Sequence, residues 1–419
     1  MTLATNDEAN LTKSFDGLRV LDFSTTIAGP HCTRMLADMG AEVIKIESPR
    51  SWDNIRTLIP LPDAAEPWNS SYYFNDYNRD KKSVTLDLSQ ERGRTLFLHL
   101  VERCDAVIEN YRADVLEKLD LGYEVLREQR EDIILVSMAG FGKTGSERGH
   151  VGFGPIIEQM SGLASMTGYG DDGIPYKTGV SYGDPVAGLA AASAVAMALI
   201  KRRRTGLGSY VDLPQRETMS TMIGEAFVAA SLRGEAPEHR GDRSARFAPQ
   251  GAYRCLGDEQ WLVISVRDEH EWGALAAILD RTDLTALTLD ERRAGHDELD
   301  GVIGRWAAAQ EPQEAMEALQ AAGVPAGRVL DTDQIHHDRH LLARSYWVEL
   351  PHPRMGPWKQ PSSSWRLVEA NPQLRRHAPL FGEHNAEVLG GLLGLSEKEL
   401  GDLTAAGIIG DAPVNPGIG

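Results

Sequence analysis

The chain has 419 residues and 42% hydrophobic content, which is enough for two domains that each bury a core of their own. Its 61 acidic and 43 basic side chains give a formal charge of −18, which opposes binding to nucleic acid or to an anionic membrane surface. The three cysteines, Cys32, Cys104 and Cys255, lie far apart, so they indicate neither a disulfide framework nor a metal cluster and fit a reducing, cytoplasmic environment.

The first part of the chain alternates β-rich runs with helical patterns. LRVLDFS (18–24) and AEVIKIE (41–47) are β-rich, and the residues between them have apolar side chains at helical spacing. The cycle is repeated by helical patterns over 95–104 and 115–129 and by β-rich runs over 105–110 and 132–140. This order predicts an α/β fold with a parallel sheet covered by helices on both faces.

The first strand-to-helix turn, STTIAGP, resembles a dinucleotide-binding loop. Glu47 follows Gly29 at about the distance of a ribose-binding acid. The fingerprint requires three glycines, however, and this loop has one. A plain turn that closes a β-α-β unit is the simpler interpretation.

Basic residues follow several predicted strands. Arg112 and Lys118 come after one strand, and Lys143 and Arg148 come after another. In open parallel sheets ligands bind beyond the carboxyl ends of the strands, so these cations either form a solvated rim or bind phosphates. His150 lies in the same loop, where an isolated histidine is more often a surface or packing residue than a base.

Asp184 stands at the start of an apolar run of small residues, 185–200, which is short and Ala-rich for a membrane span. Asp followed by Pro185 is the pair expected at the N-cap and first position of a helix. The neighbouring small residues leave space for a ligand above the carboxylate. At neutral pH an exposed aspartate is an anion and needs no base to act as a nucleophile.

The remainder of the chain predicts a second, smaller domain. Gly206 is a candidate left-handed cap for the Ala-rich helix, and SYVDL (209–213) reads as a strand. A β pair over 252–266 and helical segments over 272–279 and 306–319 indicate an α+β unit. The predicted organisation is a large domain over 1–231, a linker over 232–251, a small domain over 252–335, and a C-terminal segment over 336–419 that completes the large domain.

Several stretches of the sequence, taken together and in order, resemble the family III coenzyme A transferases, the CaiB/BaiF type that includes carnitine and formyl-CoA transferases. They are LRVLDFSTTIAGPHCTRMLADMGAEVIKIESP, NRDKKSVTLDL, DAVIENYRADVLEKLDLGYEVL, GFGKTG, GYGDDGIPYKTGVSYGDPVAGLAAA, RRRTGLGSYVDL, AGVPAGRVL and PLFGEHNAEVL. The resemblance covers nearly the whole chain. It implies a Rossmann-like large domain and an interlocked homodimer.

The resemblance also implies a chemistry. Asp184 matches the nucleophile of the family, which accepts an acyl group from acyl-CoA as an anhydride and then carries CoA as a thioester. CoA and acyl-CoA are substrates, a small carboxylic acid is the acceptor, and no permanent cofactor or metal is implied. The residues that match CoA contacts of the family are Ile27, Ala28, Asn110, Tyr111, Arg112, Lys118, Gly140, Phe141 and Gly142.

The sequence departs from two kinds of relative. Formyl-CoA transferases carry glutamine at the position of Ile27 and a glycine run where this chain has FAPQG, so a larger and less polar acid than oxalate is expected. The related α-methylacyl-CoA racemases use a His-Asp pair, whereas His150 is followed by Val151. A racemase-like epimerase and a CoA-thioester-binding protein without catalysis are the alternative interpretations.

Overall fold

The computed structural model describes residues 13–169, 174–235, 239–367 and 374–415. By contact density these residues form two compact units. The first consists of residues up to 163, 177–228 and 343 onward, and the second of 164–176 and 229–342. The residue ranges of the four segments given above stay a prediction.

The first unit is built on a parallel sheet, as predicted, which has six strands in the order β3-β2-β1-β4-β5-β6. The strands are β1 (Arg19–Phe23), β2 (Glu42–Glu47), β3 (Lys81–Thr85), β4 (Ala106–Glu109), β5 (Ile134–Ser137) and β6 (Ser209–Asp212). Val20 of β1 pairs with Val43 on one side and with Ala106 on the other. The strand order reverses between β1 and β4, and crevices at such switch points are where open α/β sheets bind ligands.

Helices cover both faces of this sheet. The helices of this part of the chain are α1 (Ala28–Asp38), α2 (Tyr72–Tyr77), α3 (Glu91–Val101), α4 (Val115–Lys118), α5 (Tyr123–Gln129), α6 (Gly154–Met160), α7 (Gly183–Thr205), α8 (Gln215–Ser220) and α9 (Gly224–Arg233), whose last residues belong to the second unit. One core places Leu21 and Val107 against Phe97 of α3, and the other places Ile108 and Val136 against small residues of α7 such as Ala191. Both faces of β1, β2, β4 and β5 are buried, which explains why apolar residues point to both sides of these strands.

Helix α7 packs tightly on α1. A Cβ atom at Gly188 would lie 2.9 Å from the carbonyl oxygen of Ala28 and 2.8 Å from Cδ2 of His31, so the two helices approach as closely as they do because position 188 is glycine. Gly206 has φ +72° and donates its N–H to Arg202 O, which confirms the predicted cap. With 23 residues and a mean hydropathy of 1.6, α7 is long and apolar enough to cross a membrane by length and composition alone. A buried core helix meets the same two criteria.

The second unit contains an antiparallel sheet of β7 (Gln250–Arg254), β8 (Trp261–Ser265) and β9 (Ala326–Arg328). Its helices are α10 (Glu269–Ile278), α11 (Leu289–Ala294), α12 (His296–Ala307), α13 (Pro312–Ala321), α14 (Thr332–His336) and α15 (Arg339–Ala343), the last ending at the unit boundary. Leu262, Trp272, Ile303 and Leu319 form the centre of its core. The β pair and the α+β character agree with the sequence pattern.

The C-terminal part of the first unit holds a hairpin of β10 (Trp347–His352) and β11 (Gly356–Pro361), which the sequence did not predict. A π-helical turn (Ala386–Gly390), α16 (Gly391–Leu393) and α17 (Glu397–Ala405) follow. The break between α16 and α17 is at Gly394, with φ +75°.

Two predicted helices are wrong in extent. The pattern over 115–129 gives two helices, because Asp120 has φ +56° and ends α4 before α5 begins. The pattern over 306–319 is interrupted between α12 and α13, since Pro312 has no N–H to continue a helix and instead starts α13.

Candidate active site

Asp184 lies in the first turn of α7, and the prediction that it caps this helix is wrong. The helix begins at Gly183, the N-cap residue is Tyr182, and no side chain caps that end. Asp184 is therefore the second residue of the helix, two positions beyond the N-cap, and its own N–H donates to Ser181 O at 3.3 Å. The carboxylate is left available for another role.

The surroundings of the Asp184 carboxylate are close and uncharged. The side chain is only 8% exposed, and burial raises its pKa to about 6. Among the described residues it accepts no hydrogen bond and forms no ion pair. A Cβ atom at Gly154, the first residue of α6, would overlap Oδ2 of Asp184 and would lie 2.7 Å from Cβ of Ser181.

Apolar side chains project from the two segments that meet at Asp184. Phe153 precedes Gly154 and is 58% exposed, and Tyr182 is 52% exposed on the turn before Asp184. Val151 and Val180 are exposed on the same two segments. Large exposed apolar side chains beside a buried carboxylate are typical of a surface that binds a partly apolar ligand.

The loop between β1 and α1 is fixed from two sides. Asn110, which follows β4, accepts from Thr25 N at 2.8 Å and donates to Thr25 O at 2.7 Å. Ile27 is the N-cap residue of α1, Ala28 is its first residue and fully buried, and a Cβ atom at Gly29 would overlap Ser24. Asn110 thus holds the two strand ends at the switch point together.

Buried charges support this loop from beneath. Lys45 donates to Ser24 O at 2.8 Å and pairs with Asp53 at 2.9 Å, and both side chains are fully buried. Asp53 in turn accepts from Thr26 N at 2.9 Å. Thr26 has φ +65°, a conformation that costs free energy for a β-branched residue and persists only where neighbours impose it.

The segment after β4 carries the remaining predicted contacts of that region. Tyr111 is partly buried, with its ring 4.9 Å from that of Phe23, and burial raises the pKa of its hydroxyl. Arg112 is exposed, and its guanidinium pairs with no carboxylate among the described residues. Lys118 is also exposed, but it forms an ion pair with Asp114 within α4.

The loop after β5 carries Gly140, Phe141 and Gly142. Gly142 has φ +80°, and a Cβ atom there would lie 2.9 Å from Pro214. Ile157 of α6 packs against both this loop and the residue before Asp184. A Cβ atom at Gly140 would lie 3.0 Å from the Ile157 side chain, and a Cβ atom at Gly183 would lie 3.4 Å from it. Phe141 packs edge-on against His150 at 5.7 Å.

Among the described residues, two other candidates from the sequence, Lys143 and Glu47, form buried ion pairs, and a third, His150, does not. Lys143 is largely buried in an ion pair with Glu109 at 2.8 Å, which places its ammonium at the end of β4. Glu47 is held by Arg56 at 2.7 Å in a buried ion pair. His150 is exposed.

The structure thus connects most of the predicted residues around the start of α7. The β1–α1 loop contacts α7 at Ala28, and the loop that carries Gly140 contacts α6, which in turn contacts Asp184. Arg112 and Lys118, which are both exposed, stand apart from these contacts. Sequence reasoning missed Gly154 and Glu158 of α6, for which the sequence gives no signal beyond the small size of residue 154.

Comparison with known proteins places these features in a wider group. A model of CoA-transferase family III matches residues 15–385. The chain is 34% identical over 383 residues to a succinyl-CoA:mesaconate CoA-transferase of Haloarcula marismortui, a match that covers 90% of this chain and 96% of the relative. It is 32% identical over 410 residues to a succinyl-CoA–D-citramalate CoA-transferase of Chloroflexus aurantiacus, covering 95% and 98%.

A solved structure of a CaiB/BaiF family protein from Brucella suis has the same fold. The superposition has a TM-score of 0.83 at 30% identity and covers 91% of this chain and all of the other.

Proposed function

Because the chain belongs to CoA-transferase family III and is therefore a CoA-transferase, we propose that Asp184 is the nucleophile that carries first the acyl group and then CoA. The observation that supports this role is a nearly buried carboxylate that no described side chain or backbone N–H engages. A carboxylate that served only to stabilise the fold would be paired or hydrogen bonded at this degree of burial.

The proposed reaction exchanges one activated acyl group for another. An oxygen of Asp184 attacks the thioester carbonyl of the donor acyl-CoA, the C–S bond breaks, and an acyl-aspartyl anhydride and CoA thiolate result. The thiolate attacks the aspartyl carbonyl of the anhydride, which releases the donor as a free carboxylate and leaves an aspartyl-CoA thioester. The acceptor carboxylate then attacks this thioester to give a second anhydride, and the thiolate attacks the acceptor carbonyl and frees Asp184. Every step conserves charge and needs no proton.

The surroundings of Asp184 suit these intermediates. An anhydride is lost to hydrolysis unless water is kept away, and Asp184 is buried against Gly154 and Ser181. Desolvation also raises the free energy of the carboxylate anion, which favours its conversion into uncharged acyl derivatives.

We infer that CoA binds across the switch point of the sheet. Its phosphates need cations in an otherwise acidic protein, and Arg112 is exposed directly after β4 with no carboxylate partner among the described residues. The β1–α1 loop and the Gly140–Gly142 loop flank this position in the fold.

Succinyl-CoA is the first donor to test, because the names of both relatives above contain it. Mesaconate and D-citramalate are the first acceptors for the same reason. Ile27 at the N-cap of α1 favours acids with an apolar portion, since it offers no hydrogen bond from its side chain.

The direct test is CoA exchange followed by separation of CoA thioesters. Purified protein is incubated with succinyl-CoA and each acceptor acid, and the new thioester is quantified by chromatography. We expect turnover with at least one acceptor and none in Asp184→Asn. Equal turnover in the wild type and in Asp184→Asn would contradict the proposed role of Asp184.

We also infer that the active form is a homodimer. α7 exposes Leu189, Met197 and Ile200, and the segment after it exposes Met222 and Phe227, and large apolar side chains exposed in number on neighbouring segments are typical of a subunit interface. A measured mass of twice 45.9 kDa in solution supports this, and a monomer at working concentration contradicts it.

A further inference from the structure

Glu158 is a buried carboxylate in the middle of α6, and its side chain has no cationic partner among the described residues. The residue is 0% exposed. Burying a carboxylate costs free energy of folding unless its oxygens accept enough hydrogen bonds. The groups that donate to Glu158 therefore indicate its role.

Among the described residues, the side chain of Glu158 accepts hydrogen bonds from one segment, the turn that leads into α7. Thr178 donates through its N–H at 3.0 Å and is also within hydrogen-bond distance through its hydroxyl at 3.0 Å, both to Oε1. Tyr182 donates its N–H to Oε2 at 3.2 Å. Glu158 thus binds the two ends of the 178–182 turn with its two oxygens.

This turn ends two residues before Asp184. Tyr182 is the N-cap residue of α7, and with no capping side chain at that end, the hydrogen bond to Glu158 is what holds its N–H. The position and direction of the first turn of α7 therefore depend on Glu158.

The same face of α6 touches Asp184 directly. Gly154, Ile157 and Glu158 have the spacing of neighbours on one helix face. Gly154 lies against the carboxylate of Asp184, Ile157 lies against Gly183, and Glu158 holds Tyr182. Three successive residues at the start of α7 are thus located by one face of α6.

We propose that Glu158 is a positioning residue for the transferase reaction, which fixes the 178–182 turn and through it the attacking oxygen of Asp184. This inference rests on the proposed function of Asp184. Glu158 does not touch the reacting atoms in this arrangement. Its effect should therefore appear in the rate of acylation and not in the affinity for CoA.

Glu158→Gln is the most informative substitution. The amide keeps the size of the side chain but has one oxygen, so Thr178 N–H and Tyr182 N–H can no longer both find an acceptor on it. The measurement is the rate at which succinyl-CoA and hydroxylamine convert Asp184 to its hydroxamate, and it needs no acceptor acid. We expect a fall on the order of 10- to 100-fold, because small misplacements of a reacting group have effects of that size.

Two controls separate positioning from general loss of structure. The dissociation constant of CoA, measured by calorimetry, should be unchanged in Glu158→Gln. Glu271→Gln alters a buried carboxylate of the second unit that also accepts a backbone N–H, from Arg267 at 2.6 Å, and it should label like the wild type. An equal loss of rate in Glu271→Gln, or a parallel loss of CoA affinity in Glu158→Gln, would overturn the assignment.

Thr178 provides a milder test if Glu158→Gln does not fold. Thr178→Val removes the hydroxyl near Glu158 and should slow acylation, whereas Thr178→Ser keeps the hydroxyl and should restore most of the rate. Unchanged rates in Thr178→Val and Glu158→Gln, with normal labelling of the wild type, would overturn the role of Glu158 alone. Absence of labelling in the wild type would instead overturn the proposed function.

Discussion

Gly154 lies directly against the carboxylate of Asp184, with no space for a single additional carbon between them. A Cβ atom at position 154 would overlap Oδ2, and Ser181 blocks the other side. The two residues are far apart in sequence, and the fold brings the start of α6 to the start of α7. This contact is the physical basis for the burial of Asp184.

Gly154→Ala should therefore displace the Asp184 side chain and reduce transferase activity by about 100-fold, the effect expected of a misplacement near 1 Å. Steady-state rates with succinyl-CoA measure the loss. Gly149→Ala is the matched control, because nothing lies within 4 Å of a Cβ atom there and the residue is in the loop that precedes α6. Full activity in Gly154→Ala would show that the packing does not locate Asp184.

Asp184→Asn should stabilise the protein at pH 8 while abolishing turnover. Burial raises the pKa of Asp184 to about 6, so the folded state holds its proton more tightly than the unfolded state between about pH 4 and 6. The ionised carboxylate therefore costs stability above that window, by about 3 kcal/mol for a shift of roughly two units.

Urea unfolding at pH 8 and at pH 4.5 tests this sign. The stability gain of Asp184→Asn should be largest at pH 8 and should shrink at pH 4.5, where the folded wild type already carries the proton. A gain that is the same at both pH values would show that the charge is not the cause.

Gly29→Ala should weaken CoA binding. A Cβ atom at this position would overlap Ser24, and the β1–α1 loop would have to move away from Asn110. The dissociation constant of CoA should rise at least tenfold. A tenfold rise corresponds to about 1.4 kcal/mol of binding free energy, which is about the net contribution of one hydrogen bond. Gly273→Ala, on a helix with open space around the position, should bind CoA like the wild type.

Lys45→Met should destabilise the fold by about 3–5 kcal/mol, because it leaves Asp53 buried without its cation. The free energy of unfolding in urea measures this. Lys398→Met removes a lysine of similar length from an exposed pair with Asp402, and its effect should stay within about 0.5 kcal/mol. Similar losses in the two variants would contradict the role given to burial.

The apolar residues of β1, β2, β4 and β5 were sufficient to predict these strands because each strand is buried on both faces, although β1 and β2 also contain charged residues. β3 escaped because its sequence, KKSVT, looks like a surface segment. Lys81 is buried there because Asp22 accepts from it at 2.8 Å and Asn78 at 2.8 Å. Such compensation is a tertiary property that no local pattern reveals.

The sequence motif identified Asp184 as a candidate nucleophile, but it did not predict the position of Asp184 within the helix. The Asp-Pro pair favoured a cap at Asp184, whereas the N-cap is Tyr182, two residues earlier, where Glu158 accepts the N–H of Tyr182. Contacts between α6 and the start of α7 join residues that are distant in sequence, such as Gly154 and Asp184. A single sequence gives no signal for such pairs beyond the small size of the residues involved.

The most direct test of the account is a mass measurement on the peptide that contains Asp184. The protein is incubated with succinyl-CoA and hydroxylamine, digested and compared with an incubation without succinyl-CoA. Activation of Asp184 as an anhydride or thioester predicts that its carboxyl becomes a hydroxamate, with the mass gain of one NH group at that residue and loss of activity. An unmodified Asp184 in protein that is consuming succinyl-CoA would contradict covalent catalysis by this residue.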